Sequence, residues 1–206
     1  MSRGGAQRNP QQKQIDAEQR REEAKAAEKR RRFIIGTLIT VALVGAVVFF
    51  ATRPPPAALA NVETFPDQGA QHIDPSGPAP DYNSIPATSG PHAPTPASCG
   101  VYREDVADVF TVHTLEHGAI VIRYEPSITA EDRAVLEDFA RDAPSHVLVA
   151  PREGLEAPIA LTAWTKRLLL DTADRDAISA FWDLYAQFGP ERGVACSFQV
   201  DQSEEG

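Results

Sequence analysis

Sulfur is scarce in this chain of 206 residues, which has two cysteines, Cys99 and Cys196, and one methionine, Met1. Without a C-x-x-C pair, a thioredoxin-like dithiol activity has no support. Without methionine beyond the first position, a methionine-lined Cu(I) carrier has none either. Positive charge is equally short after residue 32. Residues 1–32 hold ten Lys/Arg against five Asp/Glu, a net +5, so the −9 of the whole chain leaves −14 for the remainder. So acidic a remainder repels phosphate backbones and excludes a nucleic-acid-binding domain. No internal repeat is visible.

Charge is absent altogether from Phe33 to Thr52. Twenty residues at about 1.5 Å rise each match a hydrocarbon core about 30 Å thick, so a purely soluble protein is excluded and residues 33–52 are expected to form one transmembrane helix contacting the lipid bilayer. Lys29-Arg30-Arg31-Arg32 flanks the run on one side and Arg53 alone on the other. The positive-inside bias therefore predicts a cell-membrane protein with a cytoplasmic N-terminus and the following residues outside the cytoplasm. Ala58-Leu59-Ala60 resembles a signal-peptidase site. However, the apolar run exceeds the usual signal length, the basic leader 1–32 is long, and Pro54-Pro55-Pro56 precedes the cut, so an uncleaved anchor fits better. The leader from Gln11 to Arg32 reads as a solvated helix, with Glu22 and Glu23 offsetting neighbouring arginines.

Eleven of the seventeen prolines fall between Pro54 and Pro96. Each removes a donor and restrains its predecessor, so 53–98 is expected to be an extended Pro-rich arm. A globular α+β domain over 99–200, with a mixed or antiparallel sheet and two helices, precedes an acidic tail, 201–206. Asp108–Tyr124 reads as strand, turn, strand, because β-branched Val109, Thr111 and Val112 precede Gly118 and the apolar Ala119–Ile122. Thr129 and Asp132 open a helix ending near Arg141, with Val135, Leu136, Phe139 and Ala140 at helical spacing. His146–Ala150 and Ile159–Leu170 read as further strands. Thr172 or Asp174 caps a last helix to about Phe188, and Trp164, Trp182 and Tyr185 are expected in the core. His146 is expected at the surface.

The string His113-Thr114-Leu115-Glu116-His117 matches H-x-x-E-H, in which two histidines one helical turn apart bind zinc and the glutamate activates water. That chemistry needs a helix so that positions four apart share a face. The expected strand–turn–strand denies it one, which argues against a protease. At the tip of a tight turn the same imidazoles can still converge on one ion.

Gln71-His72-Ile73, Thr88-Ser89-Gly90-Pro91-His92, Gly100-Val101-Tyr102, Val112–Gly118 running into Val121–Pro126, and Pro158–Trp164, behind a membrane span, together resemble the bacterial domain of unknown function 3105 family. The resemblance covers residues 62 to about 190. It implies no assigned activity, but the family's recurrent histidines match His72, His92, His113 and His117. Many members carry glycine after the tryptophan and a nearby cysteine, where this chain has Thr165 and then Leu168–Leu170, which argues against a thiol-based role there.

The resemblance points to a four-histidine metal site, with His72 and His92 from the arm and His113 and His117 from the turn, so that an ion would fasten the arm to the domain. Glu116 is the natural partner or fifth ligand, with Asp74 and Tyr82 as weaker candidates. Imidazole donors outside the cytoplasm suit Cu(II) or Zn(II), copper being favoured by intrinsic affinity. A disulfide between Cys99 and Cys196 is the first expectation in an oxidising compartment; two free thiols or one thiolate ligand are the alternatives. Three functions follow in order: a non-catalytic metal-binding module, an envelope interaction protein without metal that has a protein partner in the membrane or cell envelope, and a metal-dependent enzyme using Glu116.

Overall fold

The computed structural model describes residues 20–22, 25, 28–41, 44, 45 and 59–202. The chain divides into two compact units, Met1–Pro54 and Pro55–Gly206. In the first, residues 28–41 are helical. Glu22 pairs with Lys25 at 2.9 Å and Glu28 with Arg32 at 2.7 Å, the spacings at which side chains on one helix meet. Among the described residues no helix is long and apolar enough to cross a membrane. Of the span expected over 33–52, residues 33–41, 44 and 45 are helical and the others lie outside the described residues. So do 1–19, 23, 24, 26 and 27 of the leader, 53–58 of the arm and 203–206 of the tail.

In the second unit the described residues build a seven-stranded sheet. Its strands are β1 (Glu63–Thr64), β2 (Gly100–Val101), β3 (Ile120–Tyr124), β4 (Val147–Pro151), β5 (Ile159–Ala163), β6 (Lys166–Leu170) and β7 (Val200–Asp201). Their order is β1-β6-β5-β3-β4-β2-β7. β3, β4, β2 and β7 run parallel, and β5, β6 and β1 pair antiparallel with their neighbours. The mixed α+β architecture is thus the expected one, but among its described residues this unit holds three α-helices where two were expected: α1 (Asp108–Glu116), α2 (Ala130–Asp142) and α3 (Arg175–Tyr185).

Alternation along the central strands assigns the layers. Ile120, Ile122 and Tyr124 point to the face where Leu136 and Phe139 of α2 and Ile178 and Phe181 of α3 complete the main core. Val121, Leu148 and Ala150 point to the other face, against Leu115 of α1. Covered on both faces, β3 is buried at all five positions, so Ile120, Val121 and Ile122 follow one another without polar alternation, and the Arg123 that comes next is buried with them. Trp182 and Tyr185 pack at the margin of the main core and Trp164 at that of the second. The helix caps follow the sequence. Thr129 accepts from the Asp132 amide, and Asp174 accepts from the amides of Asp176 and Ala177, each satisfying donors that the first helical turn leaves free.

α1 overturns the strand–turn–strand expected over Asp108–Tyr124. All six residues from Thr111 to Glu116 are buried, so no polar stripe marks the helix, and its β-branched content imitates a strand. Tertiary packing overrides that propensity. Thr114 Oγ1 donates to the carbonyls of Phe110 at 3.2 Å and Ala97 at 2.8 Å. Asp108, the first residue of α1, accepts from Arg152 at 2.8 Å and from the Ala87 amide at 3.3 Å. It also sits 3.9 Å from the buried Arg123 guanidinium. Arg123, whose pKa burial lowers against the pull of Asp108 and Asp105, donates to Asp105 at 3.0 Å and also to the Val106 carbonyl. These contacts fix where α1 begins.

The arm of 59–98 is irregular, as its prolines require, yet it is packed rather than free. Leu59 enters the main core, β1 pairs with β6, and Thr88, Ser89 and His92 are fully buried. Trp164 Nε1 donates to Asp67 at 3.1 Å, the Thr165 amide donates to the Thr88 carbonyl at 2.9 Å, and the Ala93 amide donates to the Val109 carbonyl at 2.8 Å. Cys99 and Cys196 form the expected disulfide, with Cα atoms 5.6 Å apart across 97 residues of sequence. His146, expected at the surface, is instead buried. Its Nε2 donates to the Val194 carbonyl at 3.0 Å and its amide to the Cys196 carbonyl at 2.7 Å, which ties β4 to the disulfide-bearing segment.

Candidate metal centre

Three segments deliver the site. The arm supplies His72 and His92, which face each other across a parallel bridge. The His92 amide donates to the Gln71 carbonyl at 2.9 Å, and the Ile73 amide donates to the His92 carbonyl at 2.8 Å. α1 supplies His113 and Glu116 from its last turn, and His117 is its C-cap. H-x-x-E-H therefore does lie on a helix terminus, contrary to the expected turn, and His113 Nε2 and His117 Nε2 stand 3.0 Å apart. The helix stops there because Gly118 adopts φ +86°, with its amide donating to the Leu115 carbonyl at 2.9 Å and the Ala119 amide to the Thr114 carbonyl at 3.1 Å. This is the paired Schellman closure that favours glycine after a helix.

Backbone carbonyls orient the two most buried rings. His92 Nδ1 lies 2.8 Å from the Gly90 carbonyl and His113 Nδ1 lies 2.7 Å from the Ala93 carbonyl. A carbonyl has no proton to give, so each Nδ1 is the donor, and in the neutral ring Nε2 carries the lone pair, the tautomer a metal ligand needs. Both Nε2 atoms face Glu116, whose Oε2 is 3.0 Å from His92 and 3.8 Å from His113; His72 Nε2 is 4.0 Å from the same oxygen. The rings of His72, His92 and His113 are mutually in contact, with centroids 4.9–5.1 Å apart.

The four ligand atoms of His72, His92, His113 and Glu116 all lie within 4.8 Å of one another. Two ligands at about 2.0–2.1 Å from one ion stand roughly 3–3.5 Å apart, so the cluster is of a size that a metal ion can draw together. At His92 the need is explicit. With Nδ1 committed to Gly90, Nε2 and a carboxylate oxygen 3.0 Å apart are both acceptors unless a proton or a cation lies between them.

His117 falls outside this set of four. Its Nε2 is 3.2 Å from Glu191 Oε2, and His113, Glu116, His117 and Glu191 form a second group with ligand atoms within 4.8 Å. The four histidines thus divide between two overlapping groups instead of surrounding one point. Burial and the neighbouring His113 lower the pKa of His117 despite the opposing pull of Glu191 and Glu116. The weaker candidates are not in the cluster. Asp74 is exposed and spends its carboxylate on the Ser76 amide and hydroxyl, which lower its pKa. Tyr82 donates to the Pro91 carbonyl at 2.7 Å, and burial, aided by the Asp108 charge, pushes its pKa up to about 12. No thiolate is available as a ligand, because both cysteines are in the disulfide.

Glu191 is the residue the sequence concealed. It lies 74 positions beyond His117 in a stretch with no motif, and only the packing of the chain brings it near. Its amide donates to the Glu116 carbonyl at 3.1 Å. Two residues earlier, a Cβ on Gly189 would fall 2.0 Å from that same oxygen, so only glycine lets the segment approach the end of α1 this closely.

Fold and site together define an α+β domain carrying a buried His/Glu cluster able to hold a metal ion. A family model described as Protein of unknown function (DUF3105) matches residues 74–198, more than half of the chain, and the chain belongs to that family. His92, His113, Glu116, His117 and Glu191 fall within the matched span, and His72 lies just before it. No curated protein and no solved structure matches the chain.

Proposed function

We propose that this protein is a membrane-anchored, extracytoplasmic metal-binding module whose ion is held by His72, His92, His113 and Glu116. The observation that carries the reading is the facing of His92 Nε2 and Glu116 Oε2 at 3.0 Å while a backbone carbonyl occupies the other ring nitrogen. Three imidazoles and one carboxylate, without sulfur, suit Zn(II) or Cu(II), and copper has the higher intrinsic affinity. Anchoring through residues 33–52 is supported by the uncharged run and the basic cluster before it. The disulfide favours an oxidising compartment for the rest.

The test is equilibrium binding of Cu(II) and Zn(II) to the purified full chain, with elemental analysis after desalting. We expect sub-micromolar binding that His92→Ala weakens at least about a hundredfold, and a melting temperature that falls on chelation. Absence of binding at micromolar metal, with no change in melting on chelation, would leave the envelope interaction reading in its place, since the arm already has hydrogen bonds of its own to the domain. Protease treatment of intact cells tests the topology: the folded domain is expected to be accessible from outside and the leader protected.

A second reading is favoured by one observation, the helical placement of His113 and His117, which restores the geometry that H-x-x-E-H needs in a metal-dependent hydrolase. Glu116, however, stands among the ligand atoms rather than behind them. Turnover of a peptide substrate by the metal-loaded chain, abolished in Glu116→Gln with metal content retained, would establish it.

A further inference from the structure

The second group, His113, Glu116, His117 and Glu191, shares two residues with the first. Those two differ in what they can share. His113 has one lone pair for metal, at Nε2, because its Nδ1 is bound to the Ala93 carbonyl at 2.7 Å. Glu116 has two carboxylate oxygens and can serve two ions at once. Two-ion sites hold their metals about 3.5–4 Å apart, a separation that a bridging carboxylate spans.

We infer that the site is one half of a two-ion centre, in which His72, His92 and one oxygen of Glu116 hold the first ion, while His113, His117, Glu191 and the other oxygen of Glu116 hold the second. This rests on the metal-binding reading above and extends it. The three shortest contacts lie within these halves, His92 to Glu116 at 3.0 Å in the first and His113 to His117 at 3.0 Å and His117 to Glu191 at 3.2 Å in the second, while His72 at 4.0 Å and His113 at 3.8 Å both stand farther from Glu116 Oε2. With both ions bound, His113 serves the second.

The second half is built into the fold. His117 caps α1 and is closed off by Gly118. Glu191 is brought to it by a segment that fastens to the same helix end through its own amide, through the Gln187 amide donating to the Gly118 carbonyl at 2.7 Å, and through the close approach of Gly189. The ions required are divalent and of the first transition row, since the donors are imidazole and carboxylate.

The experiment is metal stoichiometry of the full chain, loaded separately with Zn(II) and Cu(II), desalted and analysed for metal per chain, with the Cu(II) form also examined by electron paramagnetic resonance. The expected result is two ions per chain and a Cu(II) signal broadened or lost through coupling of the pair. E191Q, at an exposed side chain, and H117A are each expected to retain one ion and to restore an isolated Cu(II) signal. One ion in the wild-type chain, or two ions retained in both variants, overturns the two-ion centre and leaves the single site standing. No ion in the wild-type chain overturns both.

Discussion

His92 shows how much of a site can depend on one side chain's two nitrogens. Its ring is fully buried, anchored behind by Gly90 and facing Glu116 in front. Replacing Glu116 with Gln keeps the shape and removes the charge, so metal affinity is expected to fall by at least 10–100-fold, measurable by competition against a chromogenic chelator. Tyr82 supports the same loop, its hydroxyl bonded to Pro91. Its pKa rises from 10.0 to about 12 in the folded chain, so folding favours the protonated phenol. The contribution is fully present below pH 10 and is lost as pH climbs through about 12. Denaturant midpoints are therefore expected to fall over that interval, and less so in Tyr82→Phe. At this scale the H-x-x-E-H string singled out His113, Glu116 and His117 without a fold and the family resemblance added His72 and His92, but the expected single four-histidine site divides into two overlapping groups. The sequence was silent about Glu191 and wrong about His146, because both depend on chain segments that meet only after folding.

Elements with a regular period were legible and the one without was not. α2 and α3 bury one face each and announce their caps at Thr129 and Asp174, and β3 and β4 are largely apolar stretches of ordinary length, whereas Ile159–Leu170, read as one strand, is the antiparallel pair β5 and β6. α1 hid because consecutive buried residues erase the polar stripe by which a helix is recognised, and because Val109, Thr111 and Val112 favour strands. One signal was present: Gly118 directly after the motif reads equally well as a helix stop. Gly118→Ala tests how firmly that stop is set. Its φ of +86° is costly for any L side chain, and a Cβ would lie 2.7 Å from Gln187 Cα. A loss of about 1–3 kcal/mol is expected in urea unfolding, together with weaker metal uptake as the helix end moves. The arm, too, was half legible. Its prolines forbid regular structure, but its packing depends on the sheet face it covers.

For the whole molecule the disulfide is the main covalent constraint. It closes 97 residues of sequence, enclosing α1, α2, α3 and β2 to β6, and in the chain-entropy model it stabilises by about 4–5 kcal/mol. A Cys99→Ser, Cys196→Ser double variant is expected to lower the urea midpoint by a corresponding amount, and reductant is expected to reproduce that shift in the wild-type chain but to leave the variant unchanged. The covalent closure was legible from two cysteines and the expected compartment, whereas the sheet order was not, because parallel pairing of β2, β4 and β3 joins segments remote in sequence.

The margins of that sheet carry a last consequence. Long exposed edge strands offer unpaired amides and carbonyls to any neighbouring chain and so invite aggregation. Here both edges are strands of only two residues, β1 and β7, and Glu63 on β1 is engaged with Arg167 at 2.7 Å. Strands this short offer another copy only two residues of backbone each, which limits strand addition through β1 and β7 themselves.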